Sequence, residues 1–308
     1  MLYISGSNFR SNLVRLAHKA VKNIKYYLEK ARKEGFGIGQ FNFSDFTQMK
    51  AIVSAGEKLK SPIILGTSEG ESKFFGLQEA VALRDIIRKK TGLSIFLNLD
   101  HGKSFEYLEE AIDAGYDMVH FDGSKMPLEE NIKTAKEVVK YAKKKGVLVE
   151  GEVGRIGTDS SKLYSEKFEI KEEDLTKPED AERFVKATRV DLLAVSIGTF
   201  HGMDVSGVCP NLRIDLLKKI KEKIGGIGIV LHGGSGTPED DIREAIKRGI
   251  VKININTELR LAFSGNLRRF LDNNPEEVTP YKFLTDAKNS VEKVVGLKIE
   301  LFGSANKA

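Results

Sequence analysis

The chain predicts a (β/α)8 barrel, a TIM barrel with additional helices at its N-terminal and C-terminal ends, in a single domain over residues 1–308. Three observations carry that prediction. Short apolar runs alternate with amphipathic segments through eight units, and the runs are apolar on both faces, as parallel strands covered on both sides are. No Pro/Gly/Ser-rich linker divides the chain. No GxGxxG turn follows the first strand, which disfavours the doubly wound open sheet, the competing arrangement.

The elements follow in order. A helix is predicted over 8–34, where Leu13, Leu16, Ala17, Ala20, Val21 and Ile24 recur at helical spacing and Gly35 ends it. Strand one is 37–43, ending near Asn42, and helix 45–60 follows with Ser44 as its N-cap. Strand two, 61–70, ends at Ser68; helix 77–90 is closed by Gly92. Strand three is SIFLNLDHG (94–102), followed by helix 104–114 between Ser104 and Gly115. Strand four, 117–124, ends at Asp122, and helix 128–145 is closed by Gly146. Strand five, 147–154, carries Glu150 and Glu152 and runs into a long polar stretch, 155–177, read as a lid. Helix 178–188 starts at Pro178, a favoured first-turn residue. Strand six (192–198), helix 212–224, strand seven (226–234) and helix 238–248, opened by Pro238, come next. Strand eight (251–257), helix 258–273 and an appended helix near 280–297 complete the chain.

Composition narrows the function. With 41% hydrophobic and 30% charged residues the chain reads as a soluble globular enzyme. Its net charge of +5 is spread over helical patterns as solvated faces, without the basic stripe and exposed aromatics of a nucleic-acid platform. A mild positive charge suits a small anionic substrate. The single cysteine, Cys209, excludes an internal disulfide framework and a cysteine-based zinc site. No apolar run reaches the roughly 18 residues of a membrane span, and no cleavable signal pattern is present, so a cytoplasmic protein is expected.

The chemistry gathers at the strand ends. LNLDHG (97–102), SIGTFHG (196–202) and IVLHGGSG (229–236) each run from an apolar strand into a His followed by Gly. In a barrel the C-terminal strand ends converge on one face. That convergence collects Asn42, Ser68, Asp100, His101, Asp122, Glu152, His201, His232, Gly233, Ser235, Asn254 and Thr257. Three imidazoles suit zinc; cobalt and iron accept them too. Gly202 and GGSG (233–236) leave backbone N–H groups open to cradle a phosphate with the next helix N-terminus. A metal beside a phosphate cradle points to a phosphorylated carbonyl substrate, polarised by a Lewis acid. His120, between Val119 and Phe121, reads as a core residue; His18 reads as an exposed helix position and Cys209 as an inert loop residue.

As an ordered set, LNLDHG, GEVGRIG, GTFHG, LHGGSG, KININTEL and the terminal GSAN resemble the class II, metal-dependent fructose-bisphosphate aldolases, a family that includes the tagatose-bisphosphate enzymes. The resemblance covers about residues 28–308. It implies that His101, His201 and His232 hold Zn2+, for which Co2+ can substitute, and that Asp122 and Glu152 hold the metal in a second, buried position. It implies Asp100 as the acid/base at the C4 hydroxyl. Gly202, Gly233, Gly234, Ser235, Asn254, Asn256 and Thr257 would form the dihydroxyacetone-phosphate pocket, with Asn42 and Ser68 on the rest of the substrate. A monovalent cation, Na+ or K+, near the phosphate loop and a homodimer or homotetramer are implied as well. Two departures stand out. Asn98 replaces the first His of the HLDHG that many members carry, and GTDSS (157–161) replaces a loop bearing the glutamate that moves the substrate C–H proton. Asp159 is the nearest acid to that position and Glu166 the second candidate.

The implied activity is reversible cleavage of fructose 1,6-bisphosphate to dihydroxyacetone phosphate and glyceraldehyde 3-phosphate, a step of glycolysis and gluconeogenesis. Tagatose 1,6-bisphosphate differs only at C4 and is the alternative substrate. A metal-dependent hydrolase or epimerase, or a phosphosugar-binding protein without turnover, are the alternatives of other classes.

Overall fold

The computed structural model describes residues 22–156, 163–164, 170–204 and 211–308. His18, the loop acids Asp159 and Glu166, Cys209 and the first part of the predicted N-terminal helix lie outside the described residues. Eight strands form the barrel: β1 Ile38–Asn42, β2 Ile63–Ser68, β3 Ile95–Gly102, β4 Met118–Phe121, β5 Leu148–Val153, β6 Leu192–Val195, β7 Gly228–Leu231 and β8 Ile250–Ile255. Each pairs in parallel with its neighbours in chain order, and β8 returns to β1, with Gln40 opposite Asn254, to close the cylinder. The predicted fold class is the observed one.

The helices are α1 Ile24–Glu34, α2 Phe46–Leu59, α3 Glu69–Phe75, α4 Leu77–Thr91, α5 Phe105–Ala114, α6 Leu128–Lys145, α7 Pro178–Thr188, α8 Ile214–Ile224, α9 Glu239–Lys247, α10 Thr257–Asn273 and α11 Pro280–Leu301. Ser104 caps α5 through Tyr107 N–H (3.3 Å), and Pro178 sits in the first turn of α7, both as predicted. The structure corrects three details. Asp45, rather than Ser44, caps α2, its Oδ1 accepting from Thr47 and Gln48 N–H; the longer reach of a carboxylate serves both donors at once. A short helix, α3, follows β2 directly, opened by a Ser68–Glu71 capping box. β8 ends at Ile255, so Thr257 opens α10 instead of ending the strand. Beyond β5 and β6, Leu163–Tyr164 and Met203–Asp204 pair in parallel as a two-stranded strip.

Strand parity divides the barrel into two faces. Phe41, Leu65, Leu97, Val119, Val149, Leu193, Leu231 and Ile253 belong to the large apolar core under the helices. The alternate positions line the interior. At its base these are apolar: Ile38, Ile64, Phe96, Met118, Leu192 and Val230 pack with Ile24, Tyr27 and Leu28 of α1, which plugs the N-terminal mouth. One step up β1, β3, β4, β5 and β8 they become polar and buried: Gln40, Asn98, His120, Glu150 and Lys252. Two steps up stand Asn42, Asp100, Glu152 and Asn254, the floor of the site.

The candidate metal centre and its cleft

The centre is built from β3, β4, β5, β7, β8 and the turn after β6. A one-residue bulge in β3, where the pairing with β4 slips between Leu99 and Gly102, turns Asp100 and His101 toward the barrel axis. His101 adopts φ +55, a left-handed conformation rare outside glycine. Its ring stands 4.6 Å from that of His201 and 4.7 Å from that of His232, centroid to centroid, and His201 and His232 are 5.9 Å apart. The three predicted histidines therefore do converge.

The carboxylates set the tautomers. His101 Nδ1 lies 2.9 Å from Asp122 Oδ2, and His232 Nε2 lies 2.6 Å from Glu150 Oε1. An imidazole N–H donated to a carboxylate leaves the electron pair on the other nitrogen. Those other nitrogens, His101 Nε2 and His232 Nδ1, face each other at 3.0 Å. Two ligands about 2.0–2.1 Å from one tetrahedral ion stand about 3.3 Å apart, close to this spacing. Asp122 is itself held by Ser124, whose Oγ and N–H donate to Oδ1 at 2.6 and 3.2 Å. Glu152 Oε2 reaches within 3.9 Å of His101 Nδ1, so His101, Asp122 and Glu152 form one metal-capable group.

Electrostatics supports a cation here. Burial acts to raise the Asp100, Asp122 and Glu150 carboxyls, but neighbouring histidines, and Lys252 at Asp100 and Glu150, hold all three well below the usual carboxylate range. Burial acts to depress His101, yet Asp100 and Asp122 push it up to about 10. Burial, then the positive charge of His101, lowers His201, and burial lowers His232 against the pull of Glu150. With the His101 proton displaced, the three ionised carboxylates against the ammonium of Lys252 leave buried negative charge that a divalent ion matches. The donor set of imidazoles and carboxylates fits the implied metal.

Asp100 is clasped from both sides. Its Oδ2 accepts from Asn42 Nδ2 and its Oδ1 from Asn254 Nδ2, each at 2.9 Å. Asn42 also donates to Glu71 Oε2 at 3.1 Å, so its amide positions the carboxylate as well as facing the site. Ser68 lines the cleft, while its Oγ accepts from Glu71 N–H. Asn256 donates to Glu71 Oε1 at 3.3 Å, and Arg260 pairs with the same oxygen at 2.6 Å.

The residues predicted to cradle a phosphate lie in a tightly packed loop after β7 and at the start of α10. Gly233 has φ +64, and a Cβ there would stand 2.5 Å from Phe200 O; a Cβ on Gly234 would stand 2.7 Å from Ile253 Cγ2. Only glycine fits that approach of the loop to β8. Ser235 is buried, its Oγ accepting from Glu258 N–H at 3.3 Å, and Thr257 is buried at the start of α10. Gly202, at φ +93, is buried beside His201. Over the centre opens a cleft of about 520 Å³ whose walls include the cations Lys103, Lys125 and Arg260, the last paired with Glu71, and the carboxylates Glu69, Glu71 and Asp122.

Sequence reasoning missed Glu71, Lys252 and Gln40, placed Glu150 on strand five without a site role, and gave His120 only a core role. All lie in the interior, and the two-residue alternation Gln40/Asn42, Asn98/Asp100, His120/Asp122, Glu150/Glu152 and Lys252/Asn254 was the signal that could have found most of them. His120 is fully buried, as read, and also touches the centre.

Fold and site together define a parallel β/α barrel with a buried imidazole–carboxylate cluster able to hold a metal ion at its C-terminal mouth. The family model for "Fructose-bisphosphate aldolase class-II" matches residues 22–307, and the chain belongs to that family; it is an enzyme of the lyase class. It is 38% identical over 301 residues to a fructose-bisphosphate aldolase of Streptococcus pyogenes, covering 94% of this chain and 100% of that one. It is also 38% identical to the 6-phospho-5-dehydro-2-deoxy-D-gluconate aldolase of Bacillus subtilis, covering 94% and 98%. Among solved structures, the YdjI aldolase of Escherichia coli K12 superposes with a TM-score of 0.79 at 28% identity, over 94% of this chain and 99% of that one.

Proposed function

We propose that the protein is a zinc-dependent aldolase that reversibly cleaves fructose 1,6-bisphosphate to dihydroxyacetone phosphate and glyceraldehyde 3-phosphate. The observation that carries this reading is Asp100, an ionised carboxylate clasped by Asn42 and Asn254 beside three converging imidazoles. His101, His201 and His232 hold the ion, with Asp122 and Glu152 as the deeper ligands. When bound, the ion supplies Lewis-acid polarisation of the substrate carbonyl.

The chain's own groups do the rest. The two amides fix Asp100 in one orientation, and the neighbouring cationic groups hold it in the ionised form, the form that takes the proton of the C4 hydroxyl during cleavage and returns it during condensation. The loop at Gly233 to Ser235 and the N-terminus of α10 with Asn256 and Thr257 bind the phosphate nearest the carbonyl, with Gly202 beside them. Lys103, Lys125 and Arg260 draw the polyanionic bisphosphate into the cleft. We assign the C–H proton of the ketose phosphate to a loop acid, Asp159 first and Glu166 second, on sequence position alone.

A second reading has one observation in its favour: the B. subtilis relative, named for a phosphorylated deoxy-keto acid, is as identical as the S. pyogenes relative. The test is carbonyl-product release from fructose 1,6-bisphosphate, tagatose 1,6-bisphosphate and 6-phospho-5-dehydro-2-deoxy-D-gluconate, with and without chelator. Chelator-sensitive triose phosphate release fastest from fructose 1,6-bisphosphate supports the proposal. Turnover of the keto acid alone replaces it with the second reading, and no turnover of any refutes both.

A further inference from the structure

We infer that His120 is a positioning residue for His101: its Nδ1 anchors the left-handed main chain at His101, and its Nε2–H faces Glu152. The inference rests on the proposed metal-holding role of His101.

The bulge in β3 makes this anchor necessary. Between the paired positions Leu99/Val119 and Gly102/Phe121, two residues of β3, Asp100 and His101, run against one of β4, His120, so the ladder cannot supply every main-chain partner. The N–H of His101 points instead at the side chain of His120, with Nδ1 accepting at 3.1 Å. A non-glycine residue at φ +55 persists only where its surroundings fix it, and here the fixing contact comes from the neighbouring strand. The ring of His101 is then aimed by Asp122 at one end.

The tautomer follows. A nitrogen that accepts from N–H carries an electron pair, so the proton of a neutral His120 ring resides on Nε2. That atom stands 3.2 Å from Glu152 Oε2, an ion-pair distance without hydrogen-bond alignment, and both atoms are buried with no hydrogen-bond partner among the described residues. His120 falls within the same tight cluster as Asp100, His101 and His232, and its ring is 4.7 Å from each of the other two. Position alone would make it a fourth imidazole ligand. With one nitrogen accepting from a main-chain N–H and the other carrying the proton, neither has an electron pair for a metal. The ring instead couples the main chain of one metal-holding residue to the carboxylate of another.

Side-chain isosteres separate the two contacts. Asn places an amide oxygen near Nδ1, Gln places its amide group near Nε2, and Phe keeps the shape with neither. The experiment measures Zn2+ affinity by competition with a chromophoric chelator for the wild type, His120→Phe, His120→Asn and His120→Gln. Visible spectra of the Co2+ forms and thermal unfolding of the metal-free forms accompany it. Loss of a group that orients a metal ligand lowers affinity about 10–100-fold, which is the loss expected for His120→Phe. His120→Asn should recover most of it and keep the wild-type Co2+ spectrum, while His120→Gln should stay weak. Wild-type affinity in His120→Phe, or equal affinities in the Asn and Gln variants, overturns the inference. So does a Co2+ spectrum altered in every variant, which would make His120 a ligand. Should His120→Phe fail to fold, the Asn and Gln pair still decides. A wild type that binds neither ion overturns the metal reading itself, and this inference with it, so the wild-type titration tells the two failures apart.

Discussion

His101 Nε2 and His232 Nδ1 face one another at 3.0 Å, each ring having given its other nitrogen to a carboxylate, Asp122 or Glu150. Two electron pairs in that position need a proton or a metal ion between them. Exhaustive chelation is therefore expected to abolish cleavage, and added Zn2+ or Co2+ to restore it. Borohydride with substrate should leave activity intact, because in the proposed mechanism the electron sink is the metal ion and not a lysine Schiff base. Full turnover by protein shown to be metal-free by elemental analysis would contradict the assignment.

Asp100 carries the proton step. Asp100→Ala should keep the metal and the fold and lose about 10²–10⁴-fold in kcat, the usual worth of a positioned acid/base. Asn42→Ala and Asn254→Ala each remove one clasp and should lower kcat less. Steady-state kinetics with metal content measured on the same samples checks all three; unchanged kcat in Asp100→Ala would end its assignment.

Lys252 is an ammonium wholly inside the barrel, bonded to Glu150 Oε2 at 2.7 Å and Asn254 Oδ1 at 2.9 Å. Removing one partner of a buried pair leaves an uncompensated charge and costs about 3–5 kcal/mol. Lys252→Met should lose stability on that scale in urea unfolding, and the double change Lys252→Met/Glu150→Gln should recover part of it. A double variant as unstable as the sum of the singles would show that the pair is not coupled.

Gly233 sits at φ +64 against Phe200 O. Gly233→Ala meets a conformational cost of about 1–2 kcal/mol before any clash is counted. The loop should shift, so KM for the bisphosphate is expected to rise more than kcat falls. An unchanged KM would show that the loop does not contact substrate.

Exchange of the C–H proton isolates the loop acids. In deuterium oxide, dihydroxyacetone phosphate should exchange slowly with Asp159→Ala and at the wild-type rate with Glu166→Ala. The reverse pattern moves the role to Glu166, and two wild-type rates remove it from both.

The barrel was legible in the sequence because each strand and helix announces itself locally: apolar runs, a capping serine at Ser104, closing glycines at Gly92, Gly115 and Gly146. The three histidines were legible because each follows its strand and precedes glycine. The interior layer was not. Gln40, Glu150 and Lys252 sit within runs that look apolar overall, and their meaning depends on which strands lie opposite across the barrel, a long-range fact. Glu71 was hidden for a related reason: its helix is only Glu69–Phe75, too short to show a period, yet it brings a carboxylate to Asn42 and Arg260. The capping aspartate Asp45 was overlooked because Ser44 beside it has the same propensity and a shorter arm.

The two amides that hold Asp100 come from β1 and β8, the first and last strands, which meet at the seam of the barrel with Gln40 opposite Asn254. Asn254 lies 154 residues from the carboxylate it holds. Contacts of such sequence separation form late, because loop closure must precede them. A chain emerging from synthesis can thus build most of its βα units and its histidine-bearing strands while Asp100 still lacks its second clasp. Competence to move the proton arrives in one step when the last strand docks on the first. Recovery of turnover during refolding should accordingly lag behind recovery of helix content and keep time with the sealing of the seam.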